Sequence, residues 1–140
     1  MKTKKYKIPP DQYRKLLKEL ELIKIRMIKS NCTLNYKDGE LQPVQISEKT
    51  QVNQIENGKV EIIQSYKLTA KFDKSEEIFI NISASYQLQF LIKFEYNEDF
   101  FDIYKKISLP LTTFPFFREY IFNITSRMNI PPLTLPLVVR

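Results

Sequence analysis

The chain has 140 residues, 43% of them hydrophobic and 27% charged, with a net charge of +6 at pH 7. That length suits one domain, 1–140, whose core needs no disulfide or metal staple. Histidine is absent and there are one cysteine and two glycines, which excludes Cys–His and Ser–His nucleophile pairs, histidine acid–base chemistry and a glycine-rich phosphate loop.

The charge is concentrated at the start of the chain. Residues 1–30 hold ten Lys/Arg and three Asp/Glu, a net of +7; the remainder hold twelve and thirteen, a net of −1. The opening MKTKKYKI is basic but lacks the apolar run of a signal peptide. Lys2, Lys4, Lys5, Lys7, Arg14, Lys15 and Lys18 read either as a solvated face or as contacts to nucleic acid, with Tyr6 and Tyr13 available for stacking. PPDQYRKLLKEL predicts a short helix: Tyr13, Leu16, Leu17 and Leu20 form one apolar stripe, and Asp11 suits the helix N-terminus.

Residues 21–36 alternate as a strand, with apolar residues at odd positions (Ile23, Ile25, Met27) and then at even ones (Ile28, Cys32, Leu34, Tyr36). That change of phase predicts a bulge, or two faces buried against different things. The lone Cys32 suits a reducing cytoplasm. KDGE predicts a turn around Gly39, and LQPVQIS a weaker extended piece with Val44 and Ile46 in alternation. Asn57-Gly58 is a strong hairpin signal. Residues 60–72 then read as a half-buried strand, apolar at most even positions; DKSEE turns the chain, and 80–96 is the clearest strand, apolar or aromatic at every even position. Together these elements predict an α+β fold: a four-stranded antiparallel sheet, drawn as a meander, packed with one long helix and a short N-terminal helix.

NEDFFDIYKKIS predicts a further short helix, broken by Pro110. The stretch 114–139, FPFFREYIFNITSRMNIPPLTLPLVV, predicts a helix with Pro115 in its first turn, running to about Met128 and stopped by a left-handed Asn129. Phe116, Phe117, Tyr120, Ile121, Ile124 and Met128 fall on one arc, expected to pack on the sheet. Phe122 falls outside it, either as an ordinary exposed residue or as a contact to another subunit. In the tail Leu133, Leu135 and Leu137 alternate between prolines, and they either complete the core or cover an apolar groove. No stretch approaches the roughly 18 apolar residues of a membrane span, so no membrane insertion is expected.

FPFFREYIFNITSRMNIPPLTLPLV resembles the C-terminal motif of the SecB family of export chaperones: an F-P-aromatic-x-R-E helix start, S-R at the helix end, and a proline–leucine loop. Phe114, Pro115, Arg118, Glu119, Ser126, Arg127, Pro131, Leu133 and Leu135 fall on that frame. LELIKIRMIKSNCTLN and LQPVQIS look like the family's first strand and the start of its second, so the resemblance covers about residues 20–139. It implies an oligomeric, cytoplasmic chaperone, a homotetramer built as a dimer of dimers, that holds unfolded client polypeptides in apolar grooves without ATP, metal or other cofactor. The client-binding residues it implies are Leu41, Val44, Ile46, Phe117, Tyr120, Ile130, Leu133 and Leu135, with Phe122 at an oligomer interface. Export-type members present an acidic sheet surface to the SecA motor. Here the wet face of the 60–72 strand carries Lys67 and Lys71 beside Glu61, with Lys59 just before it. Relatives that serve toxin–antitoxin systems are the alternative form. A nucleic-acid binder acting through the basic N-terminal arm is the rival from another class, and a purely structural oligomer the third option.

Overall fold

The computed structural model describes residues 7–35, 43–71 and 78–130. The expected KDGE and DKSEE turns, the start of the basic arm with Lys2, Lys4, Lys5 and Tyr6, the position Leu41, and the tail with Leu133 and Leu135 lie outside the described residues. The elements run α1 (Pro10–Lys18), β1 (Leu20–Leu34), β2 (Gln45–Glu56), β3 (Lys59–Lys71), β4 (Ile78–Ile92), α2 (Glu98–Ile107) and α3 (Leu109–Arg127). The strands form one antiparallel sheet, as the alternation requires, and the helices cover one of its faces.

The strand order is β1-β4-β3-β2, which corrects the expected meander. Only β2, β3 and β4 follow one another; β1 docks on the free edge of β4, giving a Greek-key arrangement. The physical reason lies in the strands themselves. β4 buries every even position from Ile80 to Ile92, so it belongs inside the sheet with both backbone edges paired. β1 carries Lys24, Arg26 and Lys29 and is exposed along most of its length, which suits an edge. Its pairing with β4 slips between Leu22 and Lys24 and again between Met27 and Lys29. The second slip falls at the change of apolar phase, and it is the bulge that the pattern calls for.

The β2–β3 hairpin turns at Asn57-Gly58, with Gly58 at φ 82°. A Cβ there would meet the Ile92 carbonyl oxygen at an ordinary 3.6 Å, so the left-handed backbone, not crowding, selects glycine. β4 ends at Ile92, four residues before the alternation runs out. Phe94 and Tyr96 leave the sheet and pack under α2 instead, Phe94 against Phe100 (5.1 Å between ring centroids) and Tyr96 stacked on Phe101 (5.4 Å). The Asn97 side chain then caps α2 by accepting from the Phe100 N–H at 3.1 Å.

α3 begins at Leu109, six residues before the expected start. Pro110 occupies its first turn, while Pro115 sits inside, where its missing N–H leaves the Leu111 carbonyl without a helical partner. The helix stops where expected, with Asn129 at φ 56°. The core is the slab between α3, α2 and the even positions of β3 and β4. Tyr66 anchors it: its ring stacks on Phe117 at 5.1 Å, meets Phe114 edge-on at 5.5 Å, and its hydroxyl hydrogen-bonds Thr113 at 2.7 Å.

Candidate functional site

Several large apolar side chains remain uncovered on the helix side of the sheet, and they gather along one line. On β1, Ile25 and Met27 stand opposite Leu88 and Tyr86, so they share the face that the helices cover. α3 leaves these edge residues partly open. Its own flank presents Phe116, Tyr120 and Ile124 to them, and the result is a groove of about 580 Å³ along the β1 edge. Arg26, Glu119, Asn123 and Arg127 rim it with polar groups. Apolar lining with a polar rim is the composition of a site that holds another chain.

Tyr86 lies among the groove-lining residues and is only 3% exposed. Its hydroxyl is buried with no hydrogen-bond partner among the described residues. Burial above all, then the negative potential of Tyr120, Tyr66 and Glu119, drives its pKa far above the usual tyrosine value. The hydroxyl therefore stays protonated and can donate to an incoming acceptor.

At the opposite edge of the sheet, Val44 and Ile46 lie on or beside β2, partly buried against the core. Ile46 pairs with the buried Leu68, which places it on the helix side. Ile130, just beyond α3, is also partly buried against the core. Further along β2 the helix side turns polar. Gln64 is fully buried, accepts from the Thr50 hydroxyl and donates to Glu48 at 3.1 Å. Desolvation raises the Glu48 pKa, and the bond from Gln64 opposes that.

The residues expected to bind clients are thus divided. Val44 and Ile46 flank the β2 edge and Tyr120 faces the β1 edge, so they do not line one groove. Phe117 lies in the core: it is 0% exposed and stacks on Tyr66. Phe122 is 55% exposed and faces away from the sheet, on the same side of α3 as Leu111, which lies three turns back and is 61% exposed. The arc expected to pack on the sheet is also shifted. Phe114, Thr113 and Thr125 join its buried centre, while Phe116 is 45% exposed on the groove side. Ile25, Met27 and Phe116 were not singled out as groove residues; the change of phase in β1 was the available signal.

Burial raises the pKa values of Tyr13, Tyr66, Tyr96 and Tyr104, Tyr104 to about 12, which makes none of them a usable base near neutrality. Among the described residues no three His, Cys, Asp or Glu side chains are grouped to hold a metal ion. Tyr13 is not free to stack on bases: it packs on Phe100 at 5.2 Å and its hydroxyl hydrogen-bonds Ser108 at 2.7 Å.

The same architecture occurs in a SecB-like chaperone of Mycobacterium tuberculosis, solved in complex with a ChAD peptide from the HigA1 antitoxin. The two superpose with a TM-score of 0.77 at 16% identity, over 92% of this chain and 98% of the other. The fold is SecB-like. A protein of unknown function from Streptococcus agalactiae is further away, with a TM-score of 0.50 and 11% identity over 84% of this chain and 97% of its own. No protein-family model matches the chain, and no curated protein matches it. The SecB-like likeness therefore rests on the path of the backbone. No helix among the described residues is long and apolar enough to cross a membrane.

Proposed function

We propose that this protein is a holding chaperone: a single SecB-like domain that binds unfolded polypeptides on apolar surface, without ATP or any cofactor, in the reducing cytoplasm. The observation that carries the reading is the apolar surface left partly open on the helix side of the fold at both edges of the sheet, Val44 and Ile46 at β2 and the groove between β1 and α3. Burial of such surface contributes about 25 cal/mol per Å² and asks for no particular client sequence.

Two apolar edges suggest two occupants. The β1-side groove, with its buried unpaired hydroxyl, calls for lasting cover, and a sister chain supplies it. Leu111 and Phe122 form a second contact, and together the two build the homotetramer, a dimer of dimers. The β2 side, with Val44 and Ile46, is left for clients, with Leu41, Ile130, Leu133 and Leu135 as the further client contacts, and Tyr120 belongs to the assembly surface. The neighbour solved with an antitoxin peptide favours a dedicated client over general export. Docking to the SecA motor fits less well, because the open face of the sheet is basic. The exposed Cys32 thiol suits a reducing compartment.

The test is a titration with a reduced, permanently unfolded polypeptide in the absence of nucleotide. Sub-micromolar to micromolar binding with little sequence preference is expected; no binding at the highest soluble concentration would leave a purely structural oligomer.

A further inference from the structure

The face of the sheet turned away from the helices meets the β1–α3 groove only at the edge residue Arg26, and its side chains follow from the register. One rung across all four strands reads Lys49, Ser65, Ser85, Lys29, and the next reads Ser47, Lys67, Ser83, Asn31. Small serines between long lysines leave a shallow depression of about 280 Å³ over residues 47–49, 65–67 and 83–85. The hydroxyls of Ser65 and Ser85 are 2.8 Å apart at its floor.

Lysines dominate the charges around that floor, since Glu48, which also lines it, turns its carboxylate to Gln64 on the other face. Lys29, Lys49 and Lys67 have no ion-pair partner among the described residues. Lys24 and Arg26 continue the basic row along β1. The carboxylate of Glu61, two rungs from the serine pair, accepts from the Gln87 amide at 2.8 Å. Glu48 lies on the opposite face, bound to Gln64. Lys49 and Lys67 are diagonal neighbours on adjacent strands, so like charges are held close with nothing between them to neutralise either.

We propose that this open face docks an acidic polypeptide segment, with carboxylates seated over the Ser65 and Ser85 hydroxyls between Lys29, Lys49 and Lys67. Three strand spacings separate Lys49 from Lys29, roughly 14 Å at ~4.8 Å each. An extended chain crossing the strands covers that in about four residues. Its carboxylates meet the lysines at either end and the serine hydroxyls in between. Nucleic acid is the less suitable occupant. No aromatic residue stands at any paired position of this face, so bases have no platform to stack on. The depression is also the size of one or two side chains, not of a duplex. The surface works apart from client holding and does not depend on it.

Fluorescence anisotropy of a labelled oligoglutamate peptide tests this with the full-length protein at low salt. Binding is expected, weakening as salt screens the charges. The variant Lys29→Glu/Lys49→Glu/Lys67→Glu should lose about tenfold or more in affinity, with unchanged melting temperature and unchanged holding of unfolded polypeptide. A second variant, Lys2→Gln/Lys4→Gln/Lys5→Gln, should retain the peptide. The proposal is overturned if the peptide does not bind, if the arm variant loses it while the face variant keeps it, or if duplex DNA binds more tightly and displaces it.

Discussion

Replacing Tyr86 by Phe removes a single oxygen, and the structure sets the sign of the effect. The ring is 3% exposed, and its hydroxyl has lost water without gaining a partner among the described residues. A buried hydroxyl left unpaired costs about 1–3 kcal/mol. The phenyl ring fills nearly the same space, so the substitution returns most of that cost and opens little cavity. Tyr86→Phe should therefore stabilise the isolated chain by about 1 kcal/mol, a rise in melting temperature of about 2–4 °C for a domain of this size. Urea unfolding at the lowest workable protein concentration measures the gain, as a higher midpoint with an unchanged slope. If the groove's occupant supplies an acceptor, the same variant should also weaken self-association. A loss of about 1 kcal/mol or more under dilute conditions would refute the reasoning, since it would show that the hydroxyl is already satisfied within its own chain.

Phe117→Ala should cost about 3–5 kcal/mol of stability in the same unfolding assay, because it empties the core against Tyr66. Ile46→Asp should instead weaken binding of an unfolded polypeptide while leaving cooperative unfolding largely intact, since the residue is only partly buried. Phe122→Glu should lower the mass of the assembly in solution without unfolding the chain, because the side chain already faces water in the single copy. Glu48 titrates above its ordinary value of 4.5, so its folded pKa exceeds the unfolded one. Its favourable contribution is present below the unfolded pKa and lost as pH rises through the folded one, which leaves a net cost at neutrality. Glu48→Gln should thus raise the melting temperature at neutral pH, with the gain shrinking as pH falls below the ordinary glutamate value.

Much of the fold was legible because each strand has one wet face. The alternation in 60–72 and 80–96 gives the faces of β3 and β4, Asn57-Gly58 gives their hairpin neighbour, and the phase change at Met27–Ile28 gives the bulge in β1. Periodicity says which side a residue faces and not which strand lies beside it. The pairing of Leu34 with Ile80 therefore had no local signature, and a meander was the natural expectation. The helix boundary failed for a different reason. Pro110 and Pro115 both fit a first turn, and only the docking of Leu109, Thr113 and Phe114 into the core decides between them. The docking of those residues also fixes the roll of α3, which leaves Phe116 to the groove. The open-face lysines could be read off one strand at a time, but their gathering around a serine floor needed the register of all four.

The most direct measurement is the mass of the protein in solution by light scattering on an eluting column, alone and after mixing with a reduced, unfolded polypeptide. The account predicts a particle of four times the 16.7 kDa chain mass, with the unfolded chain eluting alongside it in the absence of ATP. A particle of one chain mass that lets the unfolded polypeptide pass would contradict it.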